Sequence, residues 1–156
     1  MSNKIDFLGV EGFFVVDSIA GNQRGDIELP TWEEYKAEAK ARGALALELF
    51  VVHSTPNADM ALVKATLPDH LAYQRKLEAE GALFLAGPIS DASGEQMEAQ
   101  GMVIYRAPDM ASARALAEAD PMHKAGARSF EIRKWLINEG SLSVSLALSG
   151  QSANLS

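Results

Sequence analysis

Leu83-Phe84-Leu85-Ala86, ending at Gly87-Pro88, and Gly101-Met102-Val103-Ile104-Tyr105 read as two short strands. Only the polar segment Ser90 to Glu95 lies between them, a hairpin-type connection with no helix. Outward on the N-terminal side, Leu45 to His53 (Leu-Ala-Leu-Glu-Leu-Phe-Val-Val-His) is a buried-strand pattern broken by Pro56 and Asn57. Helical sequence follows. The pattern predicts an interruption at Pro68, whose missing amide suits a first turn, and a resumed helix from Asp69 to Glu80 terminated by Gly81. Outward on the C-terminal side, Pro108 and Asp109 open a helix over Met110 to Ala119 that Asp120-Pro121 closes, and Phe130 to Ile137 form a last strand. The order is β-α-β-β-α-β, the split arrangement of an α+β, ferredoxin-like fold. Both helices then cover one sheet face. The other face is left apolar and bare, which usually signals a partner surface, and a homodimer packing two sheets face to face is the natural solution.

Residues 1–43 read as an N-terminal extension, 44–138 as the domain and 139–156 as a tail. In the extension, Gly12-Phe13-Phe14-Val15-Val16 suits a strand and Ala20 to Asp26 a loop. Thr31 and Glu34 form a capping box that opens a helix stopping at Gly43, with Trp32, Tyr35 and Ala39 on one side. In the tail, Leu142 to Leu148 alternate apolar and small polar residues, the pattern of an edge strand added to this sheet or to the other protomer, and Ser149 to Ser156 read as frayed.

With 156 residues, 47% of them hydrophobic, the chain suits one compact domain. Lys and Arg number 14 against 21 Asp and Glu, a net charge of −7 that argues against nucleic acid as partner. No apolar run is long enough to span a bilayer. The first residues lack the pattern of a secretory signal, which makes a cytoplasmic location the expectation. Zero cysteines exclude disulfides, thiol nucleophiles and cysteine-held metals.

The chemistry must therefore come from other groups. His53, His70 and His123 are not spaced as metal ligands, and no phosphate-loop, dinucleotide or serine-elbow motif occurs. His70 shares a helical stripe with Tyr73 and Leu77, placing an imidazole, the side chain best suited to proton transfer near neutral pH, at the sheet-facing edge. A helix-edge histidine satisfied by a carbonyl or water has the same spacing. Asp120 stands at a helix end whose dipole disfavours a carboxylate. It either begins a turn before Pro121 or meets a cation, with Lys124 and Arg128 as rivals. Gly87-Pro88 either punctuates a strand or shapes a pocket wall. Arg75 and Arg128 suit a carboxylate or enolate oxygen, or an ordinary surface. Trp135 and Tyr105 fit an aromatic-accepting cavity or the core of the sheet.

Asp69-His70-Leu71-Ala72, Ala86-Gly87-Pro88, Ala119-Asp120-Pro121 with Lys124-Ala125-Gly126, and Trp135 together resemble the YCII-related family of the dimeric α+β barrel superfamily, over roughly residues 45 to 137. The resemblance implies a dimer and a His–Asp pair at a pocket, here His70 and Asp120. It also implies cofactor-free chemistry on ring-derived small molecules, by dehydrochlorination or lactone isomerisation. Met122-His123 departs from the family's usual aromatic-aliphatic pair, so His123 becomes a candidate pocket wall. The expected function is a lyase or isomerase without cofactor or metal, acting on a small oxygenated cyclic or unsaturated acid. His70 moves the proton, Asp120 holds its ring, and Gly87, Pro88, Arg75, Tyr73, His123, Arg128 and Trp135 contact the substrate. The competing readings are a non-catalytic dimer that binds a metabolite or protein, and a cofactor-free monooxygenase.

Overall fold

The computed structural model describes residues 29–155, and the architecture is that of the unit beginning at Thr31. The strand expected at Gly12 to Val16 and the loop at Ala20 to Asp26 lie outside these residues. Helix α1 (Trp32–Ala41) starts with the expected capping box: Thr31 Oγ1 accepts the Glu34 amide, and the Glu34 carboxylate accepts the Thr31 amide at 2.7 Å. Its Ala39 packs with Ala46 and Leu136, and the Trp32 indole donates to Glu48.

Strand β1 (Leu47–Pro56), helix α2 (Met60–Ala79), strands β2 (Leu83–Ser90) and β3 (Met97–Tyr105), helix α3 (Met110–Ala119), the single turn α4 (Pro121–Lys124) and strand β4 (Arg128–Ile137) follow. All neighbours in the sheet are antiparallel, in the order β2-β3-β1-β4. This is the ferredoxin-like α+β arrangement. Because strand side chains alternate between faces, Phe50 and Val52 share one face with Val103 and Tyr105. They bury it against Leu77 of α2 and Ala113 and Ala117 of α3. Burying each of the large apolar side chains there contributes about 1.5–3 kcal/mol. The opposite face carries the partly exposed Leu85, Met102 and Trp135.

Three local expectations are corrected. Helix α2 runs through Pro68 without interruption. Val63 before the proline packs with Met122 and Ala127, and Leu77 after it enters the main core. Contacts on both sides thus hold one axis against the lost backbone bond. Gly87-Pro88 does not end β2 but lies within it, paired with Met102 and Gly101. Strand β2 is an edge strand, where a residue without an N–H is tolerated. The tail does not extend the four-stranded sheet: β5 (Val144–Ala147) pairs with β6 (Ser152–Leu155), which includes residues expected to fray. The alternating pattern does mark a strand, but its partner is the next segment, whose short loop closes at less entropic cost than a distant pairing. No described helix is long and apolar enough to cross a membrane.

Candidate active site

Residues of helix α2, the α3–α4 junction and strands β1, β2, β3 and β4 line a half-open cavity of about 840 Å³, which reaches round the β2 edge to Leu85 and Met102. Its walls are largely apolar, with Val63, Leu67, Leu71 and Leu83 among them. Two polar clusters break this lining.

The first joins α2 to the α3–α4 junction. His70 Nδ1 lies 2.9 and 2.8 Å from the two carboxylate oxygens of Asp120. Asp120 is fully buried. Its Oδ1 also accepts the Met122 amide at 2.9 Å, capping α4, and Gln74 Nε2 stands 3.4 Å from Oδ2. This resolves the dipole conflict noted in the sequence. The residue that ends α3 also begins α4, where a carboxylate meets the favourable end of a helix. Lys124 and Arg128 do not hydrogen-bond it. Burial by itself would raise the Asp120 carboxyl, but the His70 hydrogen bond, the attraction of the His70 ring when it is protonated and the Met122 amide together hold it below the ordinary carboxylate value. An ionised carboxylate only accepts, so His70 Nδ1 carries a proton. His70 lines the cavity, and its Nε2 has no hydrogen-bond partner among the described residues.

The second cluster has its donors and acceptors fixed in the same way. His123 Nδ1 lies 2.7 Å from the Ala117 carbonyl, which can only accept, so this nitrogen is protonated. Burial lowers the His123 pKa, with Arg128 and His70 adding to the effect and the Ala117 bond and Asp120 opposing it, which favours the neutral ring. Its Nε2 therefore accepts the Ser54 hydroxyl at 2.8 Å. Ser54 Oγ in turn accepts Arg128 Nε at 2.8 Å, and the Ser54 carbonyl accepts Arg128 Nη2 at 2.7 Å.

The cavity brings together most of the residues singled out in the sequence: His70, Asp120, Gly87, Pro88, Arg75, His123 and Arg128. Arg75 is exposed at its edge. Tyr73 and Trp135 are not among its walls. The Tyr73 ring packs on the core and its hydroxyl donates to the Leu116 carbonyl at 2.9 Å. Trp135 pairs with Leu49, not with Phe50, and so projects from the sheet face opposite the helices. Tyr105 is fully buried in the core, where burial and the Asp120 charge push its hydroxyl pKa up.

Sequence reasoning missed Ser54 and Gln74. Both carried a signal. Ser54 follows Phe50 and Val52 at the strand period, a polar residue where the inward face is otherwise apolar. Gln74 stands four residues after His70, hence on the same helix face.

One solved structure with a similar chain is the 5-chloro-2-hydroxyhydroquinone dehydrochlorinase of Burkholderia phenoliruptrix AC1100 in complex with 2,5-dihydroxybenzoquinone. The match is 23% identical, covers 56% of this chain and 92% of that one, and has a TM-score of 0.44. No curated protein matches the chain significantly. Residues 48–136 match the YCII-related domain. That stretch runs from the second residue of β1 to the penultimate residue of β4, thus holding every wall of the cavity, and by this match the chain belongs to the YCII-related family.

Proposed function

We propose that the protein is a cofactor-independent lyase or isomerase that moves a proton on a small oxygenated cyclic or unsaturated acid. The observation that supports this reading best is the contact of His70 Nδ1 with both carboxylate oxygens of buried Asp120. A buried Asp120, held below the ordinary carboxylate value, accepts from Nδ1–H, so Nε2 is the nitrogen that faces the apolar cavity and, when unprotonated, offers its lone pair there. In this reaction Nε2 removes a proton from a carbon of the bound acid, Asp120 stabilises the imidazolium that forms, and the same nitrogen returns the proton to another atom or assists departure of a leaving group. The apolar walls lower the local polarity and so strengthen these charge interactions. Gly87 and Pro88 on β2 form the wall across from α2, and Arg75 and Arg128 are the cations that can face developing negative charge.

The test is incubation of purified protein in D₂O with a panel of unsaturated cyclic acids, lactones and chlorinated hydroxyquinols, followed by proton NMR and chloride measurement. Deuterium uptake at carbon, double-bond migration or chloride release is expected with at least one class. Neither exchange nor turnover across the panel would contradict the proposal.

A homodimer is part of the same reading, supported by the partly exposed Leu85, Met102 and Trp135 on the helix-free sheet face. Sedimentation is expected to give twice the chain mass of 16.8 kDa, and Trp135→Glu is expected to shift it toward the single-chain value.

A further inference from the structure

Arg128 is half-buried in a cavity whose walls are largely apolar, and no carboxylate pairs with it among the described residues. Asp120, the buried acid of the cavity, is committed to His70, Met122 and Gln74. Burial disfavours the Arg128 guanidinium charge, the Asp120 charge offsets this only in part, and the cost falls further when an anion meets it. Its orientation is fixed before any ligand arrives. Nε and one Nη2 donor are bound to the hydroxyl and carbonyl of Ser54, and Ser54 is held by His123, itself anchored on Ala117. The remaining donors of Nη1 and Nη2 have no partner among the described residues.

The space beside these donors is kept open by a glycine. Gly101 on β3 pairs with Ser54, and a Cβ at this position would stand 3.7 Å from Arg128 Nη2 and 3.5 Å from the Gly87 carbonyl. Those are ordinary contact distances, so alanine fits. A branched side chain would fill the approach to the guanidinium.

We propose that Arg128, clamped by Ser54 and His123 beside the gap at Gly101, is a preformed receptor for the carboxylate of an otherwise apolar acid. This singles out Arg128 from the two arginines of the cavity, since Arg75 is exposed and lacks a comparable clamp. The assignment deepens the proton-transfer reading and rests on it only for which end of the ligand reacts. The carboxylate docks on Arg128 and the apolar body lies along the cavity, leaving its reactive carbon for His70. Neutral His123 is a positioning residue here, acting through Ser54.

The experiment measures binding, not turnover. Benzoate and its neutral isostere benzamide are titrated into the protein at pH 7 by calorimetry or NMR. Benzoate is expected to bind about ten- to a hundredfold more tightly than benzamide, the range of a charge-assisted hydrogen-bond pair. Arg128→Met is expected to erase that preference. Gly101→Val is expected to weaken benzoate by a similar factor with Arg128 in place, while Gly101→Ala binds as the parent does. His123→Phe is expected to weaken benzoate by a smaller factor than Arg128→Met, and Ser54→Ala likewise. His70→Gln is expected to retain benzoate binding, which separates this receptor from the proton-transfer proposal. Equal binding of benzoate and benzamide, or benzoate affinity unchanged in Arg128→Met, would overturn the proposal. The comparison of the two ligands needs only the parent protein and stands even where a variant fails to fold.

Discussion

His70→Ala is expected to lower turnover by about 10²–10⁴-fold, the usual contribution of a positioned proton-transfer group, while the protein remains folded. The two halves of this prediction rest on different observations. On the proposed mechanism activity falls because Nε2 acts as the base and the described walls offer no second histidine free to replace it: His123 has both nitrogens occupied by Ala117 and Ser54. The fold survives, at a cost in stability from the loss of the Asp120 partner, because the core of Phe50, Val52, Leu77, Val103 and Tyr105 does not include His70. Steady-state kinetics and circular dichroism on the same preparation check both. A variant that stays folded and turns over at the parent rate would remove His70 from the mechanism.

Substitution of Asp120 is expected to act on stability and activity together, and two replacements separate the effects. Asp120→Ala leaves the buried Met122 amide and the Gln74 amide without an acceptor and removes the cap of α4. At about 1–3 kcal/mol for each unsatisfied buried group, the Met122 amide being the cap itself, the loss should be about 3 kcal/mol. That corresponds to roughly 10 °C in melting temperature for a chain of this size. Asp120→Asn keeps the shape and one acceptor. Its amide must then either face His70 Nδ1–H or force the ring into the other tautomer, which turns Nε2 from acceptor to donor. Activity should fall by about 10²–10⁴-fold with a much smaller loss of stability.

The same carboxylate sets an acid limit. Burial opposes its ionisation, but the His70 interaction and the Met122 amide prevail, so the folded value lies below the unfolded one. A depressed carboxylate stabilises the fold fully above its unfolded value, near pH 4, and this contribution is lost as the pH falls through the folded value. Urea midpoints should therefore decline from about pH 4 downward in the parent and more gently in Asp120→Asn.

The sheet and its order were legible because the information was local. Phe50 and Val52, Leu83 and Leu85, and Val103 carry β-rich apolar runs, and the lack of a helix between β2 and β3 fixed the arrangement. The continuity of α2 was not legible, since it depends on Val63 and Leu77 meeting different parts of the core on either side of Pro68. The same holds for Gly87-Pro88, where only the position of β2 at the sheet edge makes a proline acceptable.

At the cavity, His70 and Asp120 stood out by residue type and by resemblance to relatives. What they do to each other depends on a contact fifty positions apart along the chain, which no window of sequence contains. Tyr73 shows the limit of helical spacing. It shares the stripe of His70, yet its hydroxyl reaches back to Leu116 and leaves the cavity untouched. Trp135 shows the limit of residue type, because the face it projects from is decided by one step of strand register.

The most direct measurement of the central claim is ¹⁵N NMR of the His70 ring in the parent protein, assigned by comparison with His70→Gln. In the neutral ring the account predicts protonated Nδ1, hydrogen-bonded to Asp120, and bare Nε2, with the Nε2 signal moving when an acid occupies the cavity. Protonated Nε2 in the neutral ring, or a signal indifferent to every bound acid, would contradict it.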